Sequence, residues 1–460
     1  MIVILSIAIV IAMIPYGIVI SRNLASNGSQ EQNSTVEETP EATEPESING
    51  LDPDHDIDLD TEPDPDPEPL PEPEPSPDPD PEPEAMQEDR VLDISEHDPD
   101  LADRLDEIAE EYNCAAVSLV IYDGDTGEYY TYHYGYADIQ ENHAIDENTK
   151  FRVASLSKLT TVLCAMVLVD EGELDLDEDI STYLGYNVTN RNHPDTPITT
   201  RMLMQHTSSI FDSDAFDSSR SRNSSRSNRQ LLDAGSSFRN RRPGLRFEYT
   251  NLGYSILAAV CEMISGKSIN TLSREVLFTP LGIDAAYVPS KLTYTGNIAV
   301  IYNSRHSVSR SVQSQLDITE SATLGHDNHL AQGNLTISAI DYAKILAMLR
   351  NDGILHGIRV LSPEAVKAIH DTDVTGVTYD QGLGTRYSNG SFISGEGSFW
   401  HTGSAYGTFA QYIYSADINN RGVVVVTTGS NTERRSSGLL QVCTDLSVLV
   451  WENIKFNNDN

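Results

Sequence analysis

Residues 155–169 read Ser-Leu-Ser-Lys-Leu-Thr-Thr-Val-Leu-Cys-Ala-Met-Val-Leu-Val, a short polar start followed by an almost wholly apolar run. A run that is apolar on nearly every side predicts a buried helix. Ser155 and Lys158 are three positions apart, so they share one face of that helix. Because burial favours the neutral form of a lysine, the pair is a nucleophile beside its base. The N–H groups at the start of the helix suit a developing oxyanion.

This Ser-x-x-Lys element also has a simpler interpretation, in which the serine caps the helix and the lysine reaches solvent. A second element, Tyr249-Thr250-Asn251, lies in a loop before another apolar helical run. Beside an ammonium, Tyr249 would lose its proton more easily and could relay protons to and from Ser155. Asn251 both donates and accepts, which suits contact with Lys158 and a substrate amide. The alternative for Tyr249 is a buried phenol bonded to a loop carbonyl.

The third element is His401-Thr402-Gly403-Ser404, which lies just before a segment that is typical of a strand. A strand edge of this kind can bind an extended substrate by backbone pairing, with Gly403 permitting close approach. The alternative is a hairpin turn with an incidental histidine.

Together the three elements resemble those of the serine β-lactamase and D-Ala-D-Ala carboxypeptidase superfamily, its class C-like branch in particular. That branch carries Ser-x-x-Lys, then Tyr-x-Asn, then Lys-Thr-Gly or His-Thr-Gly, in this order. The likeness covers roughly residues 100–455, since several other segments also match the family pattern. These segments are 198–210, 243–251, 332–341, 381–384 and 423–426.

The resemblance implies a serine hydrolase that works through an acyl-enzyme and needs no metal or organic cofactor. The active site would lie in a cleft between an α/β sandwich and a helical domain. The implied catalytic residues are Ser155, Lys158 and Tyr249. The implied substrate-binding residues are Asn251, His401, Thr402, Gly403 and Ser404, with the backbone N–H groups of Ser155 and Ser404 forming the oxyanion hole.

Two positions depart from the family pattern. The glycine that often follows His-Thr-Ser is here Ser209, which predicts a reshaped turn. The strand triad begins with His401 rather than lysine, and a histidine is only partly charged near neutral pH. A substrate carboxylate would be held less strongly, which argues against a dedicated β-lactamase.

The favoured function is a D-Ala-D-Ala carboxypeptidase-like peptidase acting on a cell-wall peptide or a related small amide or ester. A β-lactamase or esterase of the same fold is the alternative among enzymes. A penicillin-binding sensor that acylates without turnover is a further alternative, and so is an inactive surface module, although the intact motifs oppose it. A nucleic-acid partner is improbable for a chain of net charge −40, despite a local Ser- and Arg-rich segment at 218–242.

Much of the negative charge lies in one stretch. Residues 31–89 contain 23 acidic residues and no lysine or arginine, and 14 of the 22 prolines lie between Pro40 and Pro83. Such a composition cannot bury a core and favours extended polyproline II. Residues 21–95 are therefore predicted to form a disordered stalk.

Residues 1–20 are apolar and long enough to cross a bilayer, and no good signal-peptidase site follows them. We predict an uncleaved transmembrane anchor. The positive-inside rule does not fix its orientation, because only Arg22 flanks it. An acidic spacer makes sense outside the cell, so the expected location is the cell membrane, single-pass, with an extracellular catalytic domain.

The catalytic domain is predicted to cover residues 96–456. Asp98-Pro99 is a typical helix start, and 114–122 and 128–136 are typical of a hairpin. Strands near 395–402, 407–415 and 421–428 come before a helix from about 435 to 454. The expected fold is α/β, an antiparallel sheet flanked by terminal helices plus a mainly helical subdomain. A disulfide between Cys114 and Cys443 stays open, and His326 and His329 lack a metal-ligand pattern.

Overall fold

The structure is a computed structural model of the chain. It describes residues 89–219, 226–375, 379–389, 397–416, 420–435 and 438–456. The predicted anchor at 1–20 and nearly all of the predicted stalk lie outside these residues. Within them, no helix combines the length and the apolar character that a membrane span requires.

Of the thirteen α-helices in the described residues, ten lie between residues 157 and 370. The helices are α1 Ile94–His97, α2 Pro99–Glu111, α3 Ser157–Asp170, α4 Ile180–Leu184, α5 Thr200–Met204, α6 Asp214–Ser219, α7 Asn228–Asp233, α8 Leu252–Ser265, α9 Ile269–Ser273, α10 Val312–Leu316, α11 Ala339–Arg350, α12 Pro363–His370 and α13 Gln441–Asn453. Short turns of 3-10 helix lie at Ala154–Leu156 and Pro289–Lys291, and a π-helical turn lies at Arg274–Phe278.

The strands fall into one large sheet and three two-stranded pairs. They are β1 Arg90–Asp93, β2 Ala116–Asp123, β3 Glu128–Asp138, β4 His143–Ala144, β5 Phe151–Arg152, β6 Ile301–Tyr302, β7 Val308–Arg310, β8 Thr336–Ile337, β9 Ile354–Leu355, β10 Ile358–Arg359, β11 Val374–Thr375, β12 Asp380–Gln381, β13 Arg386–Ser388, β14 Ser398–Ala405, β15 Thr408–Ser415 and β16 Arg421–Thr428.

Among the described residues the large sheet runs β1-β3-β2-β16-β15-β14-β13-β12-β11, with β4 added beside β3. All pairs in this order are antiparallel except β1 with β3. The predicted hairpins and the closing strand are confirmed. β1 lies inside the range that we predicted to be stalk, so the sheet begins before residue 96. A four-residue parallel strand carries no local signal of its partner, which explains the error.

The terminal helices α2 and α13 cover one face of the sheet. Asp98 caps α2 by accepting from Leu101 N at 3.1 Å, as the Asp-Pro pair predicts. Tyr130 and Tyr132 of β3 are buried beneath these helices, whereas Tyr136 at the strand end is 41% exposed. The tyrosines of β3 therefore serve mainly as a packed sheet face.

The opposite face packs against α11 and the larger, mostly helical core that surrounds α3 and α8. α3 is buried along nearly its whole length, as its all-round apolar sequence predicts. The 3-10 turn that precedes α3 packs directly against β14. This contact brings Ser155 to the sheet edge. The four cysteines, at positions 114, 164, 261 and 443, are buried free thiols.

Candidate active site

Ser155 lies on the 3-10 turn Ala154–Leu156, two residues before α3 begins at Ser157. Ala154 has φ of +48°, a left-handed conformation that is uncommon for a residue with a side chain. The turn and α3 together keep the spacing that the Ser-x-x-Lys pattern requires. Lys158 Nζ lies 3.2 Å from Ser155 Oγ, so the predicted pair is formed.

Lys158 is buried, and each proton of its ammonium has an acceptor. Nζ donates to Ser155 Oγ at 3.2 Å, to Asn251 Oδ1 at 2.9 Å and to the carbonyl oxygen of Gln332 at 2.7 Å. Desolvation lowers the pKa of Lys158, and the nearby charge of Tyr249 partly opposes that shift. The lysine is therefore both held in place and made easier to deprotonate.

Tyr249 completes a triangle with the serine and the lysine. Its hydroxyl donates to Ser155 Oγ at 2.8 Å, and Lys158 Nζ lies 4.9 Å from the centre of its ring. Burial alone raises the pKa of Tyr249, but the charge of Lys158 and the hydrogen bonds to the phenol oxygen outweigh it, so the pKa is lowered. As the phenolate, Tyr249 can accept the serine proton, and as the phenol it can return that proton.

His206 supports the loop that carries Tyr249. Its Nδ1 accepts from Thr250 N at 3.2 Å, and its ring lies 4.5 Å from the ring of Tyr249. Burial, followed by the charges of Lys158 and Arg386, lowers the pKa of His206 well below its usual range. The imidazole is therefore neutral, and Nδ1 can act as an acceptor.

β14 passes next to the Ser155 turn at Gly403. A Cβ at that glycine would lie 2.4 Å from Val153 O and 3.2 Å from Ser155 N, so only glycine permits this approach. Thr402 and Ser404 line the cavity in front of Ser155. Beyond Trp400 the side of β14 that faces β13 has no described partner strand, which leaves an edge for an extended ligand.

His401 requires a correction. It is 2% exposed, Nδ1 contacts its neighbour Thr402 O at 2.9 Å, and its ring packs near Tyr249 and Tyr412 behind the cavity wall. Burial and the neighbouring charges of Arg386 and Lys158 lower its pKa well below the usual value. The expectation of a partly charged His401 near neutral pH is therefore wrong.

Arginines, which we did not predict, supply the positive charge of the site. Arg386 is buried and packs on the rings of Tyr379 and Trp400, with its guanidinium carbon 4.7 and 5.1 Å from their centres. Among the described residues, its Nε has no hydrogen-bond partner and no carboxylate forms an ion pair with it. Arg434 donates to Thr402 Oγ1 at 3.1 Å, and burial together with the charge of Arg386 lowers its pKa.

The cavity in front of Ser155 has a volume of about 390 Å³. It is lined by Arg152, Ala154, Ser155, Tyr249, Asn251, Gln332, Gly333, Arg386, Thr402, Ser404, Ala405 and Arg434. A nucleophile, a proton-relay pair and a cluster of cations share one small space. The chemistry this arrangement supports is acyl transfer to a serine from a ligand that carries negative charge.

Comparison with known proteins identifies the family of the chain. The Beta-lactamase family profile matches residues 101–442, most of the chain. The chain therefore belongs to the Beta-lactamase family, whose members are serine hydrolases and penicillin-binding proteins.

Two curated relatives illustrate the range of sequence similarity. "Protein flp" of Staphylococcus aureus (strain MRSA252) is 28% identical over 135 residues, which are 29% of this chain and 27% of the relative. Penicillin-binding protein 4 of Amycolatopsis lactamdurans is 26% identical over 264 residues, which are 56% of this chain and 66% of the relative. The matched region thus spans about a quarter of the first relative and about two thirds of the second.

Solved structures show the same fold. The octameric penicillin-binding protein homologue from Pyrococcus abyssi has a TM-score of 0.60 at 21% identity and covers 76% of each chain. The D-amino acid amidase from Ochrobactrum anthropi SV3 has a TM-score of 0.60 at 20% identity, covering 77% of this chain and all of the amidase.

Proposed function

We propose that this protein is a D-Ala-D-Ala carboxypeptidase-like serine peptidase that acts on small wall-type peptides with a free C-terminal carboxylate. The observation that carries the proposal is the buried guanidinium of Arg386, which lies beside the Ser155–Lys158–Tyr249 triangle and whose Nε has no hydrogen-bond partner among the described residues. The proposal combines the acyl-transfer chemistry of the triangle with recognition of an anion at the leaving-group end of the substrate.

Ser155 Oγ attacks the carbonyl carbon of the scissile amide and forms a C–O bond. The serine proton passes to the Tyr249–Lys158 pair and then to the leaving nitrogen, and the C–N bond breaks. Water then hydrolyses the ester on Ser155 and regenerates the hydroxyl. The backbone N–H groups of Ser155 and Ser404 would hold the oxyanion, which fits the close approach of β14 to the Ser155 turn.

Recognition of the carboxylate is assigned to Arg386 and Arg434. A buried guanidinium without an acceptor is costly, and a bound carboxylate supplies acceptors with matching geometry. Thr402, which already accepts from Arg434, lies beside the same space and can donate its hydroxyl proton to the ligand. This assignment replaces the role that the sequence gave to the charge of His401.

The same features suit a penicillin, which also carries a carboxylate beside a reactive amide. The relative from Amycolatopsis lactamdurans is named Penicillin-binding protein 4, and that name supports testing β-lactams as ligands of this protein. A sensor differs from an enzyme only in how slowly the acyl-enzyme is hydrolysed. Turnover therefore separates these two functions.

The test uses two peptides ending in D-Ala-D-Ala, one with a free C-terminus and one amidated, together with a fluorescent penicillin and a simple ester. The expected result is release of D-Ala from the free peptide, with kcat/KM at least about tenfold above the amidated peptide. Ser155→Ala should abolish release and penicillin labelling.

Arg386→Gln should lower kcat/KM for the free peptide by about 10- to 100-fold, since a charge-assisted bond is lost, and should lower it much less for the amidated peptide, which lacks the carboxylate. Arg359→Gln, whose guanidinium lies outside the cavity and donates to Asp352 O, is the matched control. Labelling without turnover would favour the sensor. Cleavage of the ester with no preference for a carboxylate would favour an esterase.

For location we propose a cell-membrane anchor at residues 1–20 that holds the catalytic unit outside the cell through the acidic spacer. The support is the apolar and acidic-proline composition of these segments. Protease added to intact cells should remove the catalytic unit. Protection of this unit until the cells are lysed would contradict the proposal.

A further inference from the structure

Asp212 lies behind the active site and receives several hydrogen bonds from the start of α8. Its carboxylate accepts from Thr250 Oγ1 at 2.9 Å, from Asn251 N at 2.8 Å and from Leu252 N at 2.9 Å. Asn251, the residue at the helix N-cap, makes no capping bond with its own side chain. Asp212 therefore caps α8 from a different segment of the chain. A purely structural role would need no other contact of this carboxylate.

The carboxylate also makes a contact that helix capping does not need. Asn251 Nδ2 donates to Asp212 Oδ2 at 2.7 Å, and Asn251 Oδ1 accepts from Lys158 at 2.9 Å. An ionised carboxylate only accepts, so it requires the NH₂ side of the amide to face it. The oxygen side must then face the ammonium of Lys158.

We propose that Asp212 is a positioning residue for acylation: it fixes the orientation of the Asn251 amide and thereby the place and charge balance of Lys158 beside Ser155. The inference rests on acylation of Ser155, which is part of the proposed function, but not on the identity of the peptide substrate. Asp212 does not touch the cavity in front of the serine.

The negative charge of Asp212 also acts on the proton-relay pair. It favours the charged form of Lys158 and opposes the desolvation that lowers the pKa of this lysine. Removal of that charge lowers the pKa of Lys158 and, by the same electrostatic rule, that of Tyr249. Both shifts have the same sign, so the pH profile moves to lower pH whichever residue takes the serine proton. The other groups that face Lys158 are Tyr249, Tyr254, Arg386 and the neutral imidazoles of His206 and His401.

The experiment measures the rate at which a fluorophosphonate labels Ser155, as a function of pH, in wild type and in Asp212→Asn. A carboxamide at this position keeps the shape but presents an NH₂ group and no charge. We expect the maximal labelling rate to fall at least about tenfold and the profile to move to lower pH by about half a unit or more. Because the readout is labelling, it stays informative even if the wild type cleaves no D-Ala-D-Ala peptide.

Two further variants separate positioning from capping. Asp212→Glu keeps the charge but displaces the acceptors, so its rate should fall while its pH profile stays close to wild type. This variant also tests the proposal if Asp212→Asn does not fold. Ser362→Ala removes the cap of α12, where Ser362 Oγ accepts from Ala365 N at 3.0 Å, and should lower Tm without changing labelling.

A role limited to capping predicts a different pattern. In that case Asp212→Asn would behave like Ser362→Ala, with a lower Tm and a wild-type labelling rate and pH profile. In Asp212→Glu, an unchanged labelling rate at an unchanged Tm would contradict the proposal in the same way.

Discussion

The hydroxyl of Tyr249 donates a 2.8 Å hydrogen bond to Oγ of Ser155, although the two residues are 94 positions apart. The bond joins the loop that precedes α8 to the turn that precedes α3. It gives the serine a proton partner whose pKa is lowered by the charge of Lys158. The buried lysine is tolerated because its three donors are satisfied by Ser155, by Asn251 and by the carbonyl oxygen of Gln332.

Replacement of Tyr249 by phenylalanine should separate proton relay from folding. We expect Tyr249→Phe to slow fluorophosphonate labelling of Ser155 by about 10²- to 10⁴-fold, the usual contribution of general acid–base catalysis. Tyr132→Phe is the matched control, because that buried phenol donates to Asp106 at 2.7 Å on the other side of the sheet. It should cost about 1 kcal/mol of stability and leave labelling unchanged. Equal labelling rates for the two variants would remove Tyr249 from the relay.

The sequence was sufficient to place Ser155 beside Lys158 and to predict the five long strands of the sheet, whereas the five short strands were not predicted. The three-residue spacing predicts that Ser155 and Lys158 lie side by side, and the apolar run after them predicts a buried helix. The structure has both features. The Asp98 cap and the hairpin of β2 and β3 depend on neighbouring residues only, so local rules are enough to predict them.

The features that the sequence did not predict depend on contacts between distant segments. Arg386 and Arg434 meet near Thr402 only because β13 and the segment before α13 flank β14. The burial of His401, which removes its charge, depends on rings from separate elements. A sequence pattern describes one segment at a time, so it does not reveal the contacts between distant segments that set the burial and charge of these residues.

Ser209 adopts a left-handed backbone conformation, which glycine adopts more readily than serine. Its φ is +67°, and its hydroxyl accepts from Asn190 Nδ2 at 2.9 Å. Ser209→Ala keeps the strained backbone and loses the hydrogen bond, whereas Ser209→Gly loses the bond but relieves the strain. We expect the glycine variant to be about 1 kcal/mol more stable than the alanine variant in urea unfolding. Equal stabilities would mean that the turn relaxes in the alanine variant.

The buried carboxyl group of Glu262 should make the free energy of unfolding fall as the pH rises. It is buried, accepts from Ile269 N at 2.8 Å and Gly325 N at 2.7 Å, and burial raises its pKa to about 7. An acid whose pKa is raised by folding stabilises fully below the unfolded pKa of 4.5 and loses that contribution as pH rises through about 7. From pH 4.5 to 8 this single group should remove about 3 kcal/mol from the free energy of unfolding.

The test compares urea unfolding of wild type and Glu262→Gln across this pH range. The glutamine variant cannot ionise, so the difference in stability between it and wild type should move in its favour by about 3 kcal/mol on going from pH 4.5 to 8. Because wild type and Glu262→Gln share the other titrating groups, the contributions of those groups cancel in the difference between the two stabilities. A difference that stays constant with pH would show that Glu262 titrates normally.

The start of the folded unit can be tested by truncation. β1 pairs with β3, Ile94 is fully buried, and Asp89 forms an ion pair with Lys344 and lies 2.7 Å from Nε2 of His356. A fragment that begins at residue 86 should therefore match longer fragments in both Tm and kcat. A fragment that begins at residue 98 loses the burial of Ile94 and should be less stable by about 2–5 kcal/mol. Equal Tm values for the two fragments would show that β1 is dispensable.

Gly403 offers a test of the contact between β14 and the Ser155 turn. In Gly403→Ala the new Cβ would lie 2.4 Å from Val153 O, so the strand or the turn must shift and the spacing of the two predicted oxyanion donors must change. We expect labelling of Ser155 to fall by about 10²-fold or more, the cost of losing one oxyanion-hole donor. Gly185→Ala is the matched control, because its Cβ has no neighbour within 4 Å and only its φ of +71° opposes the change. That control should lose about 1 kcal/mol of stability and keep its labelling rate, whereas normal labelling of Gly403→Ala would place the oxyanion donors elsewhere.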